Sequence, residues 1–497
     1  MQRRQFLGTV VFGSAGLAAS HAGCGPGATP GAPAGTPPAS AGAVTGNEAF
    51  ELHEATIDGL QEAMRSGRLT ARAIAERYLA RIEALNQQGP QLRALIDLNP
   101  DALAIADQLD AERKAGKVRG PLHGIPIALK DNLDTHDRMT TTAGSLALEG
   151  SVPPQDSFVA LQLRAAGAVL LAKANMSEWA YWRGMKATSG WSARGGQCRN
   201  PYVLDRNPCG SSSGSGAAAS ANLVVLTIGT ETGGSIMCPA SINGVVGIKP
   251  TVGLWSRAGI IPISHSQDSA GPMARTVRDA VIALGAACGV DPRDAATTAS
   301  AGRFRADYTA FLDPGGLRGV RIGVARSFAG FDDRVLKVFD EAVAALKSAG
   351  AEIVDPANLP QNPDVFQELP TIVLNYEFKA NINKYFQSLG ASAPVKTLAD
   401  LIAFNEAHRD REMPYFGQER LIISETTTSL DAPEYRKAVA AIQRATRADG
   451  IDALMDRHKL DAIAAPTMGP AWPTDHVLGD RLDGGSSAGP AAIAGYP

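Results

Sequence analysis

An α/β architecture, a large mixed central sheet covered by helices on both faces, is predicted by three observations. Segments with helical periodicity alternate with short β-rich runs along most of the chain. With 497 residues, 44% hydrophobic and 20% charged, the chain can bury a large core as one big domain or as two. Two serine-bearing glycine loops, 210–214 and 229–235, flank one short apolar run, and loops at strand ends are where such folds carry function.

Folded structure is expected to begin near Glu51. Ile57 to Ser66 reads as a helix stopped by Gly67, and Thr70 caps a second in which Ile74, Tyr78, Ile82 and Leu85 share a core-facing side. Leu92 to Leu98 reads as a strand and Asp101 to Ala115 as a helix ended by Gly116. The apolar run Ile125 to Leu129 predicts a buried strand, and Lys130 is its last step. A helix over 156–166 stops at Gly167, and a strand over 168–172 follows. After the first glycine loop, the alanine-rich stretch 214–222 favours helix, and Leu223 to Ile228 is a strand that delivers the second loop. Val245 to Ile248 continues the sheet. Helices at 276–288 and 332–348, strands at 320–325 and 462–465, and a mostly helical stretch from about Asp364 to Asp456 complete the chain.

The first 23 residues read as an export signal of twin-arginine type: Arg3-Arg4 precede an apolar, small-residue run too short to span a bilayer. Ala22-Gly23-Cys24 resembles the end of a lipoprotein signal, so Cys24 is a possible lipid anchor. Residues 24–48, almost wholly Gly, Pro, Ala, Ser and Thr, are expected to be a flexible linker, and 49–497 the catalytic domain. Formal charge is −3, and removing Arg3 and Arg4 with the signal would leave −3 − 2 = −5, so no nucleic-acid partner is expected. A periplasmic or membrane-anchored monomer is expected. Cys198, Cys209, Cys238 and Cys288 lack any Cys-x-x-Cys or Cys/His spacing for zinc, and free thiols are expected of them.

The chemistry points to acyl transfer. A serine attacking a carbonyl needs a proton acceptor beside it and backbone N–H groups aimed at the oxyanion, and glycines let the main chain come that close. Ser235 follows Gly233-Gly234, so the N–H groups of Thr232, Gly233, Gly234 and Ser235 can converge on one point. Lys130 at a strand end can be a snorkelling edge charge. A desolvated lysine can instead be neutral and accept a proton from a serine. Gly210-x-Ser212-x-Gly214 also fits the nucleophile elbow of α/β-hydrolases, an esterase reading. An elbow must follow a strand, however, and 200–209 holds Pro201 and Pro208 with no β-run.

Leu129-Lys130-Asp131-Asn132, the serine loop from Cys209 to Gly216, the segment from Gly229 to Ile236, Gly247-Ile248-Lys249-Pro250-Thr251 and the segment from Asp268 to Arg275 together resemble the amidase signature family, over about Leu52 to the end. The serine loop, 262–268 and 401–405 look most like its bacterial peptide amidases. The resemblance implies the amidase-signature fold, with the helical stretch forming part of the substrate cleft. It also implies hydrolysis of carboxamides to acid and ammonia, here the C-terminal amide of peptides, without cofactor or metal. The implied triad is Ser-cisSer-Lys: Ser235 as nucleophile, Ser211 as the bridging serine with a cis peptide bond, and Lys130 as base, with the N–H groups of Thr232, Gly233 and Gly234 as oxyanion hole. Cys209 stands where most members have a glycine, and Met237 where many have an arginine. The chain stops at Pro497, where the family runs on into another strand and helix, which reads as a fragment or as a sheet with an exposed edge. A catalytically decayed binding protein is the remaining alternative.

Overall fold

The computed structural model describes residues 50–497 apart from 361, 363, 392 and 483, so the export-signal and linker expectations lie outside the described residues. Every element named below belongs to one compact unit, residues 54–497.

A six-stranded mixed sheet forms the centre. Its strands are β1 (Leu95–Leu98), β2 (Pro126–Lys130), β3 (Val169–Ala174), β6 (Leu226–Glu231), β7 (Val246–Gly247) and β8 (Ser269–Ala274), in the order β1-β3-β2-β6-β8-β7; β4 (Trp191–Ser192) and β5 (Gly196–Gln197) form a separate small pair. β2, β3 and β6 run parallel, and every residue of each is buried, which explains the near-continuous apolar sequence of β2 and β3. β8 is antiparallel to β6, with Glu231 opposite Ser269.

One expectation shifts here, and one strand was not expected. The strand expected at 223–228 lies three residues further on, so Gly229, Thr230 and Glu231 are strand rather than loop, held there by the ladder to β8. β8 itself was invisible in the sequence, because Ser-Ala-Gly-Pro-Met-Ala lacks β-branched residues and contains a proline. Pro272 is tolerated because its carbonyl accepts from Ile248 N at 3.0 Å, on the β7 side. A residue's N and O point the same way in a strand, so its missing N–H is not subtracted from the β6 ladder.

Small residues let the helix Ser213–Ser220 lie close on β2, β3, β6 and β8. Gly214 N donates to Asn175 O at 2.9 Å, and a Cβ on Gly214 would strike the backbone of Ala94 and Asn175. A second sheet, β10-β9-β11 (β9 Arg321–Val324, β10 Glu352–Val354, β11 Ala462–Ala464), is parallel throughout.

The helical stretch consists of Leu369–Ser388, Leu398–Ala407, Arg409–Glu412, Glu419–Glu425, Pro433–Thr446 and Asp452–His458. Phe378, Ile382, Phe386, Leu398, Leu401 and Leu421 join Met176, Trp179 and Ile261 in one buried cluster, fastening Leu369–Ser388, Leu398–Ala407 and Glu419–Glu425 over the loop that follows β3 and the segment before β8. At that junction the Arg183 guanidinium, fully buried, pairs with Glu178 at 2.9 Å and Glu412 at 3.5 Å and lies 5.3 Å from the ring centres of both Trp191 and Phe416. Glu412 accepts from Leu146 N at 2.8 Å. Burial pushes the Glu178 carboxyl well above the usual carboxylate range against the pull of Arg183. Removing one partner strands the others without solvent, so Arg183→Met is expected to cost about 3–5 kcal/mol in equilibrium urea unfolding. A loss under about 1 kcal/mol would show the trio to be dispensable.

The free-thiol expectation holds for Cys198 and Cys288, both buried, but not for the other two: Cys209 and Cys238 form a disulfide with Cα atoms 5.9 Å apart. Spacing could not reveal the pair, because the two glycine loops must first fold side by side. Closing a loop over a sequence separation of 29 residues stabilises the fold by roughly 3–4 kcal/mol in the chain-entropy model.

Candidate active site

Parallel pairing brings the site together. Leu129 of β2 lies opposite Ile228 of β6, so the C-terminal ends of both strands open at one edge of the sheet, with Lys130 beside Thr230. Lys130 is fully buried. Its Nζ is 2.7 Å from Ser211 Oγ, 2.8 Å from Thr230 Oγ1 and 3.3 Å from Thr230 O. Burial pulls the ammonium down to about 7, against the opposing charges of Asp268 and Glu231. Ser211 is buried, and the Gly210–Ser211 peptide bond is cis.

Ser235 sits half-buried in the turn after β6, where Gly234 adopts φ +103°, a conformation open to glycine. Ser212 N donates to Ser235 O at 3.2 Å, which places the Ser211 segment against that turn. Among the described residues, no intramolecular hydrogen bond engages the N–H groups of Thr232, Gly233, Gly234 or Ser235. Glu231 holds the next turn by accepting from Ile236 N at 2.7 Å and Met237 N at 3.0 Å.

Ser212, by contrast, is committed to structure. Its hydroxyl donates to Thr230 O at 3.0 Å and accepts from Thr230 N at 3.2 Å, and no strand leads directly into it, the preceding one ending at Gln197. The elbow geometry is therefore absent.

Three contributors went unassigned in the sequence. Thr230 supplies two of the three polar neighbours of Lys130, and its position could have been found from the Thr-Glu-Thr alternation, which puts 230 and 232 on one side of an extended segment. Asn132 donates to Thr230 Oγ1 at 3.0 Å and fixes that hydroxyl. Asp268 accepts from Thr232 Oγ1, and from Ile263 N and Ser264 N at 2.9 and 2.8 Å; burial lifts it to about 6. Asp268 opens the signature segment 268–275, but nothing local shows its place at the site, which it reaches only because the segment before β8 folds back.

A cavity of about 320 Å³ opens beside these groups, lined among others by Thr230, Thr232, Ile261, Ile263, His265 and Tyr385. Tyr385, on the helix Leu369–Ser388, donates to Asp134 at 2.8 Å, so the helical stretch does wall the cleft.

The family model described as Amidase matches residues 73–483. The chain belongs to the amidase family. This amidase is 43% identical to a probable amidase of Arabidopsis thaliana over 468 residues, 92% of this chain and 85% of that protein. It is 50% identical to the solved peptide amidase of Stenotrophomonas maltophilia, with TM-score 0.85 over 90% of each chain. An amidase family protein of Bacillus anthracis str. Ames, 35% identical, aligns at TM-score 0.80 over 90% of this chain and 84% of that one. The amidase-signature fold and amide hydrolysis are thereby shown for this enzyme, and the esterase and decayed-protein readings fall away.

Proposed function

We propose that this amidase hydrolyses C-terminal carboxamides of peptides through Ser235, Ser211 and Lys130. The observation that carries the reading is the set of three neighbours around Lys130 Nζ. A neutral amine has two N–H groups and one lone pair. Thr230 O can only accept, and Thr230 Oγ1 lies within reach of the second N–H, so the lone pair is left facing Ser211 Oγ. A base with a pKa of about 7 is matched to neutral pH.

The steps follow from that arrangement. Lys130 takes the proton of Ser211, Ser211 takes that of Ser235, and Ser235 Oγ attacks the amide carbon. The free N–H groups of residues 232–235 receive the developing oxyanion. The proton returns through Ser211 to the leaving nitrogen, ammonia departs, and water attacks the acyl-enzyme by the same relay to release the acid.

The peptide preference is supported by the 50% identity to the Stenotrophomonas maltophilia peptide amidase and by a cleft walled by both the core and the helical stretch. The test is mass spectrometry of amidated peptides, with a simple aryl amide alongside. Replacement of NH₂ by OH at the peptide C-terminus, with ammonia released in equal amount, is expected. Turnover of the aryl amide with every peptide untouched would remove the peptide assignment.

A further inference from the structure

Two residues that take no part in these steps flank both serines. Cys209 lies two residues before Ser211, and Cys238 three residues after Ser235. Their disulfide is buried beneath Met468 and Trp472, with Ile242 packed against it. It joins the same two segments that hydrogen bonds join elsewhere: Ser212 N to Ser235 O, and Asn243 Nδ2 to both Pro208 O at 2.8 Å and Pro239 O at 2.7 Å.

Cys209 occupies φ +58°, left-handed backbone that favours glycine. A cysteine kept there against local preference points to a use for its sulfur. On the opposite side of the bridge, Cys238 N donates to Gly234 O at 2.8 Å, so its backbone is bonded directly to the turn that carries Ser235. The covalent link thus runs from the residue before Gly210 of the cis bond to the first turn of the helix Met237–Ile242 after the nucleophile.

We propose that the Cys209–Cys238 disulfide positions the nucleophile, holding the Ser211 segment against the Ser235 turn so that the relay to Lys130 stays aligned. The inference rests on the triad reading above. Cys209 and Cys238 are positioning residues. Proton relays and attack geometry tolerate little displacement, so loss of the bridge lowers the rate of the chemical step more than it weakens substrate binding.

The bridge opens by two-electron reduction. A water-soluble phosphine attacks one sulfur, the S–S bond breaks, each sulfur ends as a thiol, and water supplies the oxygen of the phosphine oxide. Oxidised glutathione reverses this by thiol–disulfide exchange.

The test compares the wild-type enzyme, oxidised and phosphine-reduced, with Cys209→Gly/Cys238→Ala, in which glycine suits the left-handed backbone. Readouts are kcat and KM on a carboxamide, and the rate at which a fluorophosphonate probe labels Ser235, located by peptide mapping. The expected result, in protein with native circular dichroism, is a fall of about 10–100-fold in kcat and in labelling rate, with KM changed less than about threefold. In the wild type, reoxidation is expected to restore both. Equal labelling and kcat in the oxidised and the folded bridge-free protein would overturn the inference and leave the triad intact. Absence of Ser235 labelling in the oxidised wild type would instead overturn the triad. If the double variant fails to fold, the reduced wild type decides; if that also unfolds, the bridge serves stability alone and the positioning role is refuted.

Discussion

Replacing Ser235 with alanine is expected to lower kcat on a carboxamide by about 10⁴–10⁶-fold while leaving the melting temperature nearly unchanged. The side chain is half-buried at a turn, and among the described residues no intramolecular hydrogen bond uses its hydroxyl, so its removal takes away little packing. What it takes away is the attacking atom. The N–H groups of 232–235 remain, which leaves a residual rate from oxyanion stabilisation alone. Ser212→Ala gives the opposite pattern. The Thr230 N–H loses its acceptor in a dry interior, which costs about 1–3 kcal/mol, while the three proposed catalytic side chains stay in place. Steady-state assay and thermal melting of the two variants side by side separate the roles. A Ser235→Ala enzyme within about tenfold of wild type would mean that another group attacks.

The sequence made the parallel half of the sheet and the serine loops readable, because β2 and β3 are apolar runs and Lys130 and Ser235 sit at strand ends in distinctive local company. It left β8 unreadable, since Pro272 and Gly271 erase the local β signal and only the ladders to β6 and β7 make the segment a strand. The same limit hid Asp268 and the disulfide. Both depend on segments far apart in the chain meeting: Asp268 on the return of 262–268 to Thr232, and Cys209–Cys238 on the stacking of two loops. Lys173 shows the complementary problem. It is as buried as Lys130 and its ammonium is likewise pulled down by burial, yet it donates to Leu133 O at 2.6 Å and Thr141 Oγ1 at 2.7 Å. It braces the loop after β2, far from either serine in its bonding. Only the partners distinguish a base from a brace.

Lys130 can be tested by the sign of its pH dependence. If neutral Lys130 is the base, kcat/KM rises with pH through about 7, where burial has placed its pKa, and then levels. If the ammonium acted as a fixed cation stabilising negative charge, activity would fall over the same range as the proton left. Lys130→Ala is expected to reduce kcat by about 10³–10⁵-fold, because the proton of Ser211 loses its acceptor. Lys130→Arg should be as inactive as the alanine variant, since a guanidinium keeps its protons at any usable pH. A cation role would let arginine rescue much of the rate. Asp268 supplies a finer check. Its negative charge favours the ammonium form, so Asp268→Asn is expected to move the rising limb of the profile to lower pH. A limb that stays in place in that variant, or one that moves upward, would mean that the group titrating near 7 is not Lys130.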